Sequence, residues 1–370
     1  MRLGIDVSTY LEEIAHGAKY FDGEKEVQPL QLFRQNGVDL MRIRLWVNPF
    51  DENGAPYLAG TCDLQNFLQL ATLAQQNGYG ILLDFHYSDF WCDPAKQFVP
   101  KAWKNLTFEQ LENKVYSYTR DVLTQCAQRN LDIQYVQTGN EITNGMLWPF
   151  GKLEWDEQKG ERTNYENLTR LLKSAGKACR EVYPNAKIVL HLERSYDQAI
   201  YNEFYTKMKR FGVDYDVIGM SYYPYWHGTM EQLFANVEMC KKFGKEIAVV
   251  ETGYAFTLED YVKNEHGAAH LVVNVSDVLP GDFAQKYPLD PQGQSKFAED
   301  LLDGAKRHGV SAVMWWEPLW LPGEGICWAS EEGQRYIGET GKSTRNEWAN
   351  QCLFNYDGKK LPAFEKFAKK

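Results

Sequence analysis

Eight apolar, β-rich segments alternate with segments of helical periodicity, and this alternation constrains the fold more than any other feature of the chain. Strands that alternate with helices form parallel sheets through right-handed crossovers, and eight such units close into a barrel. The sequence therefore predicts an α/β protein built as a TIM (β/α)8 barrel. The predicted strands are residues 2–8, 40–47, 79–88, 133–136, 187–193, 216–224, 246–254 and 311–318.

An open, doubly wound sheet is the alternative arrangement for alternating strands and helices. No G-x-G-x-x-G motif follows any predicted strand, which disfavours that alternative. The chain has no low-complexity linker and no break in composition, so we expect one domain over residues 1–370. The longest connections follow predicted strands 3, 4, 7 and 8. These loops belong to the C-terminal face of a barrel, where they would form a substrate cleft.

The composition argues against several classes of protein. A net charge of −10 disfavours a surface that follows nucleic-acid phosphates. The seven cysteines include no C-x-x-C pair, which disfavours a zinc or disulfide framework. No apolar run is long enough to span a bilayer, and the first strand begins so close to Met1 that no signal peptide is visible. Eleven Trp and 22 Tyr exceed the needs of a core, and surplus aromatic residues often line a site.

Polar residues gather where the predicted strands end. A set of this kind, spread over nearly every strand, is typical of a barrel active site. Two acids stand out because each follows an apolar strand, Glu141 after strand 4 and Glu251 in strand 7. The whole set consists of Asp6, Arg44, His86, Asn140, Glu141, His191, Tyr222, Glu251, Trp316 and Glu317.

The separation of the two acids follows from barrel geometry. Eight strands roughly 4.8 Å apart and tilted about 36° give a barrel radius of about 7.5 Å. Strands 4 and 7 then lie roughly 14 Å apart across the mouth, and two inward-reaching Glu side chains leave about 5 Å between the carboxyls. Retaining glycosidases need about 5–5.5 Å and inverting ones roughly 6.5–9.5 Å. The geometry favours double displacement.

The two acids have different predicted surroundings. Arg44 is available to Glu251, and a nearby cation would keep that carboxylate ionised as a nucleophile. Glu141 faces another negative charge, so its pKa is expected to rise and the group to stay protonated as the acid. Asn140 stands beside Glu141 and is expected to hold a sugar hydroxyl next to the reacting carbon.

A histidine and several aromatic residues are predicted to contact a substrate. His86 is expected to bind the substrate or the nucleophile, and a satisfied buried histidine is an equally good interpretation. Trp316 suits stacking against a sugar ring. Tyr222, Trp91 and Trp226 extend the predicted substrate-binding set into the loops.

The remaining motifs argue against other chemistries. Glu317 is a competing acid, but Pro318 restrains its backbone and we interpret it as structural. No H-x-H follows strand 1 and no H-E-x-x-H occurs, which disfavours metal catalysis. An aldolase would need a Lys at a strand end, and none is apparent. A silent carbohydrate-binding barrel, another β-1,4-glycanase such as a mannanase or glucanase, and two solvated rim carboxylates stay open as alternatives.

Long segments around these residues resemble glycoside hydrolase family 53, the endo-β-1,4-galactanases. The resemblance implies that Glu141 is the acid/base, that Glu251 is the nucleophile, and that the substrate is β-1,4-linked galactan of pectic arabinogalactan side chains or its oligosaccharides. The resembling segments are RIRLWVNPFD (42–51), LLDFHYSDFWCDPAKQ (82–97), PKAW (100–103), VQTGNEITNGMLWPFGK (136–152), VIGMSYYPYWHGTM (217–230), VVETGY (249–254), WWEP (315–318) and NQCLFNYDGKKLP (350–362).

The resemblance also bears on cofactors and location. Family members are typically extracellular or at the cell surface and need no cofactor for the reaction. Some bacterial members bind a structural calcium ion through the loop after strand 8 together with the loop after strand 7. That loop here lacks a dense run of Asp but keeps four residues with oxygen or nitrogen donors. We expect a monomer without a membrane span. The four residues near which calcium would bind are Glu259, Asp260, Asn264 and His266.

Overall fold

The computed structural model describes residues 1–262, 271–273, 279 and 281–368, and eight of its strands form a closed barrel. Every neighbouring pair of strands is parallel, and β1 pairs with both β2 and β8 to close the ring. The predicted TIM barrel is confirmed. The strands are β1 (Arg2–Asp6), β2 (Leu40–Leu45), β3 (Gly80–Phe85), β4 (Ile133–Thr138), β5 (Lys187–Leu192), β6 (Val217–Tyr222), β7 (Glu246–Thr252) and β8 (Ala312–Trp316).

Helices surround the barrel, and several of them begin at a residue whose side chain caps the first turn. Thr107 and Thr229 each form a capping box with the Gln three residues later, which satisfies free N–H groups at the helix start. Described helices are α1 (Tyr10–Ala15), α2 (Pro29–Gln35), α3 (Leu64–Gln76), α4 (Phe108–Gln128), α5 (Tyr165–Val182), α6 (Gln198–Phe211), α7 (Met230–Cys240), α8 (Phe283–Lys286), α9 (Pro291–Arg307), α10 (Glu331–Ile337) and α11 (Pro362–Phe367). None of the helices in this described part of the chain is long and apolar enough to cross a membrane.

The barrel interior changes from apolar to polar toward the C-terminal ends of the strands. Side chains alternate in and out along each strand, so every second residue enters the interior. The lower part is an apolar plug, formed by Leu40, Leu82, Tyr135, Val189, Val217, Ala248, Val250, Ala312 and Met314. Above it, the same alternation places buried polar residues, namely Asp6, Arg42, Asp84, Gln137, His191 and Ser221. The floor of the site is therefore a polar layer resting on a dry plug.

Most strands end before the sequence predicts. Strand β3 stops at Phe85 rather than at Ser88, and β8 stops at Trp316 rather than at Pro318. The residues just beyond several strands take a left-handed backbone conformation, as Tyr87, Arg194 and Glu317 do with φ of 52°, 52° and 46°. A left-handed residue ends the pleat and turns the next side chain, so polar residues that periodicity assigns to strands belong to loops.

The long connections follow β3, β4, β7 and β8, as predicted. Short elements in the connections are additions to the prediction. Helix α1 directly follows β1, and two-stranded antiparallel ribbons pair Tyr20–Asp22 with Lys25–Val27 and Glu154–Asp156 with Glu161–Thr163. The segment after β8 returns to the barrel, where α11 packs on α9.

Candidate active site

Glu251 reaches the barrel mouth because β7 contains a β-bulge. The register with β6 pairs Met220 with Val249 and then Ser221 with Glu251, which leaves Val250 as an extra residue. Val250 itself enters the apolar plug, so strict alternation would direct Glu251 outward. A bulge re-aims the side chain that follows it. The bulge thus returns Glu251 to the interior side.

Arg42 and Tyr223 hold the Glu251 carboxylate. Arg42 Nη2 lies 2.7 Å from Glu251 Oε1, and the Tyr223 hydroxyl donates to Oε2 at 3.2 Å. Both oxygens of the carboxylate are therefore fixed by donors. Arg42 also contacts Asp6 at 2.7 Å and Asp84 at 2.8 Å, so one buried guanidinium serves three carboxylates.

Glu141 approaches the same space from the opposite wall. It follows β4 in a left-handed conformation, with φ 47° and ψ 51°. Its side chain therefore does not continue the alternation of the strand. Ser221 Oγ donates to Glu141 Oε1 at 2.6 Å. Among the residues that the structure describes, no cation forms an ion pair with Glu141. Glu141 is partly exposed in the cleft, whereas Glu251 is 6% exposed.

The two carboxyls differ in how readily they ionise. Burial raises the pKa of Glu141 well above its usual range, and the charges of Glu251 and Glu193 raise it further. Burial also raises the pKa of Glu251, to about 7, but the Arg42 guanidinium opposes that rise. Because only Glu251 has a cation beside it among the described residues, Glu251 loses its proton first and Glu141 keeps its own.

Arg42, and not Arg44, is the arginine that contacts Glu251, so the predicted pairing is wrong. Arg44 lies one interior position higher on β2 and forms an ion pair with Glu317 at 2.5 Å. The Thr9 backbone N–H and hydroxyl also donate to the Glu317 carboxylate. Arg44 is 1% exposed and sits behind Trp91, with its Cζ 4.3 Å from the ring centroid. It therefore supports the cleft wall from behind.

Tyr222 is also displaced from its predicted role, because its side chain points away from the mouth. Its ring stacks on Phe297 of α9, and its hydroxyl donates to the Gly228 carbonyl. Alternation along β6 places Tyr222 outside, and Tyr223 inside. Tyr223 is the tyrosine that contacts Glu251.

His86 and Asn140 lie on the cleft wall with most of their polar atoms already bonded. Trp46 Nε1 donates to His86 Nδ1 at 3.1 Å, and His86 Nε2 lies 3.0 Å from Asp84. Since Nδ1 accepts, Nε2 carries the proton and donates to Asp84. Asn140 Oδ1 accepts from Arg42 at 2.8 Å, and its Nδ2 donates to the Cys92 carbonyl. Both residues orient the polar floor.

An aromatic cleft of about 740 Å³ lies above the two acids. Trp316 stands on its floor, packed edge-on against Trp348 with 4.6 Å between ring centroids. Trp91 stacks parallel to Trp328 on one side, and Trp226, 46% exposed, stands at the edge. The rings lie at different angles, which suits a bent chain of sugar rings.

Several site residues were not predicted. Arg42 lies two positions before Arg44 on the same face of the strand. The alternation of the strand therefore indicates that both arginines point into the barrel. The contact between Trp348 and Trp316 joins residues from distant parts of the chain, and no local pattern predicts it. Two further tryptophans in the loops stay outside the cleft, since Trp320 is fully buried and Trp148 does not line it.

The predicted calcium position is only partly described. Asn264 and His266 lie outside the described residues. In the described segment, the backbone carbonyl of Glu259 accepts from Tyr356, and Asp260 Oδ1 accepts from the Val262 N–H. No group of three or more His, Cys, Asp or Glu side chains in the described residues is arranged to hold a metal ion.

Two carboxyls with opposite tendencies to ionise, facing each other after β4 and on β7 of an aromatic-lined barrel, define the class of the barrel glycoside hydrolases. The chain belongs to glycosyl hydrolase family 53, whose family model matches residues 2–367. An endo-beta-1,4-galactanase of Bacillus subtilis (strain 168) is 32% identical over 98% of this chain and 84% of its own length.

Two solved structures extend the similarity to three dimensions. The family 53 catalytic domain of Ignisphaera aggregans has a TM-score of 0.86 and 36% identity, covering 99% of this chain and 96% of its own. A structure from a study of two fungal beta-1,4-galactanases has a TM-score of 0.77 and 28% identity, covering 100% of this chain and 99% of its own.

Proposed function

We propose that this protein is a retaining endo-β-1,4-galactanase, with Glu141 as acid/base and Glu251 as nucleophile. The observation that carries the assignment of roles is the unequal environment of the two acids. Arg42 and Tyr223 hold the Glu251 carboxylate, whereas Glu141 is only partly exposed and has no cation beside it among the described residues. The galactan specificity is supported by family membership and by the names of the relatives.

The proposed reaction has two displacements at one carbon. Glu251 attacks the anomeric carbon while Glu141 gives its proton to the departing glycosidic oxygen, which leaves a galactosyl ester on Glu251. Glu141, now a carboxylate, takes a proton from water. That water attacks the same carbon, and the Glu251 carboxylate departs. No cofactor takes part, and a structural calcium ion near Glu259 and Asp260 would act outside this chemistry.

Product profiles on galactan, mannan and cellulose oligosaccharides test the substrate. We expect mid-length galacto-oligosaccharides from the start of digestion on β-1,4-galactan, because an open cleft accepts a chain in its middle. Preferred cleavage of mannan or cellulose would instead support another β-1,4-glycanase. Release of single galactose units from the start would indicate an exo-acting pocket.

The stereochemistry of the first product tests double displacement. Two inversions at one carbon return the β configuration, so proton NMR during early hydrolysis should show β-galactose reducing ends before mutarotation. An initial α signal would contradict the nucleophilic role of Glu251, because a single displacement by water inverts the centre.

Replacing Trp316 with Ala should reduce kcat/KM on galactan by about 10²-fold, because truncating a ring at the reacting sugar also loosens its position. Trp316→Phe keeps a stacking face and should recover much of that loss. Steady-state kinetics of both variants measure the effect. Equal losses in the two variants would assign Trp316 to packing against Trp348.

The polymer substrate also suggests where the protein works. A long galactan chain is met outside the cell, so we propose an extracellular or cell-surface enzyme. The two acids and the aromatic walls come from one chain, which supports activity as a monomer.

A further inference from the structure

A line of hydrogen bonds leads from Glu141 into the barrel interior. Ser221 Oγ lies 2.6 Å from Glu141 Oε1, and His191 Nε2 lies 2.8 Å from the same Oγ. Ser221 and His191 are fully buried, on β6 and β5 respectively. Neither side chain lines the cleft, so neither touches the substrate directly.

The contacts of His191 Nδ1 decide which groups donate and which accept in the hydrogen bonds between His191, Ser221 and Glu141. His191 Nδ1 lies 3.1 Å from Gln137 Nε2 and 3.4 Å from the Glu141 backbone N–H, both of which donate. It also lies 3.0 Å from Asn140 Oδ1, an acceptor. That oxygen already accepts from Arg42 at 2.8 Å. Nδ1 therefore faces two N–H donors and one oxygen acceptor that already has a donor. This arrangement favours a lone pair on Nδ1, and the proton of the neutral ring is then on Nε2.

The amide orientations that this argument uses are fixed by other contacts. Gln137 Nε2 donates to Asp84 Oδ1 at 2.6 Å, and Gln137 Oε1 accepts from Arg42 Nε at 3.3 Å. Asn140 Nδ2 donates to the Cys92 carbonyl at 2.8 Å. Reversing either amide would place donors against donors or acceptors against acceptors.

A proton on His191 Nε2 leaves Ser221 a single role. The Nε2–H donates to Ser221 Oγ, so the serine hydroxyl hydrogen is free to donate to Glu141 Oε1. We propose that Ser221, oriented by neutral His191, is a positioning residue that occupies Oε1 of Glu141 and leaves Oε2 to carry the catalytic proton. This inference rests on the proposed function. The same hydrogen bond stays in place in both displacements, because Oε1 accepts in the acid and in the carboxylate.

Charge effects agree with this geometry. Burial lowers the pKa of His191 well below its usual value, so the ring stays neutral with one proton. The Ser221 hydrogen bond lowers the pKa of Glu141 against the larger effect of burial. The charged and titratable groups that face Glu141 and His191 are Glu251, Glu193, Asp93, Arg42, Asp84, His86 and His227.

Ser221→Ala should shift the alkaline limb of the kcat/KM profile to higher pH by about one unit. Activity needs protonated Glu141, and loss of a donor to its carboxylate raises the pKa at which that proton leaves. We also expect kcat/KM at the optimum to fall about tenfold. Ser221→Thr keeps the hydroxyl and should restore the limb. Ser311→Ala, at the N-terminal end of β8, is the matched control and should leave the profile unchanged.

An NMR measurement tests the direction of the hydrogen bonds without relying on activity. In the full chain labelled with ¹⁵N-histidine, His191 should be a neutral Nε2–H tautomer throughout the pH range of activity, assigned by comparison with His191→Gln or by its shift in Ser221→Ala. An Nδ1–H tautomer would overturn the proposal, because Ser221 would then donate to His191. An unshifted alkaline limb in Ser221→Ala would also overturn it. A wild-type enzyme inactive on galactan would refute the proposed function, and the NMR result would still decide this inference.

Discussion

Glu251→Ala should lose on the order of 10⁴-fold or more in kcat on galactan, because it removes the group that forms the galactosyl ester. Both displacements depend on the Glu251 carboxylate, whose two oxygens are held by Arg42 and Tyr223. Glu251→Gln, which keeps the shape and most contacts, should be similarly inactive. A shape-matched variant therefore separates loss of the nucleophile from loss of packing.

The fold should survive this substitution. Glu251 is 6% exposed and is not a solvated rim carboxylate. Its removal therefore takes one negatively charged partner away from the buried Arg42. Arg42 keeps Asp6 and Asp84 as partners at 2.7 and 2.8 Å, however, so no unpaired buried charge is left. Circular dichroism melting checks this expectation. Near-normal hydrolysis by a folded Glu251→Ala protein would contradict the assigned role.

Azide provides a positive readout for Glu251→Ala. With an aryl β-galactoside that the enzyme accepts, azide can enter the space vacated by the carboxylate and displace the leaving group once. A single displacement inverts the centre, so the expected product is α-galactosyl azide. If azide does not restore activity and the residual hydrolysis by the variant still gives a β-configured product, another residue is the nucleophile.

The barrel could be predicted from the sequence because its signals are local. A helix is visible from apolar residues three and four positions apart, and a buried strand from a short apolar run between turn signals. Eight repeats of that pattern leave few topologies. The conclusion does not depend on which residues touch across the barrel, and so the early end of β3 or β8 did not affect it.

The choice of arginine could not be made from local signals. Arg42 and Arg44 share one face of β2, and the sequence ranks them equally. The height of Glu251 in the barrel decides between them, and that height depends on the extra residue in β7. A bulge is a property of two paired strands. Its position is not encoded in the alternation of either strand alone.

The exchange of Tyr222 for Tyr223 has a similar cause. A predicted strand over residues 216–224 places Tyr222 near the mouth, but the inward series on β6 runs through Val217 and Ser221 to Tyr223. A shift of one residue reverses the face on which a side chain lies. Tyr222 instead fills the layer between the barrel and α9, against Phe297.

Glu141→Ala should lose about 10²–10⁴-fold on galactan, and its loss should depend on the leaving group. A sugar hydroxyl leaves poorly without a proton, whereas a dinitrophenolate leaves readily. The first displacement on an activated aryl galactoside should therefore be nearly normal in this variant. The second displacement lacks its base, so the galactosyl ester should accumulate, visible as a burst of phenolate or by mass spectrometry.

The same variant should lose the alkaline limb of its pH profile, and azide should rescue it with retention. The limb in the wild type reports the proton held by Glu141, whose pKa is raised by burial and by the charge of Glu251. Without that group, only the ionisation of Glu251 remains on the acid side. Azide enters after the ester has formed, in place of water and without a base, and so gives β-galactosyl azide. Equal losses on galactan and on the activated galactoside would show that Glu141 does not donate the proton, while α-galactosyl azide would show that the roles of Glu141 and Glu251 are exchanged.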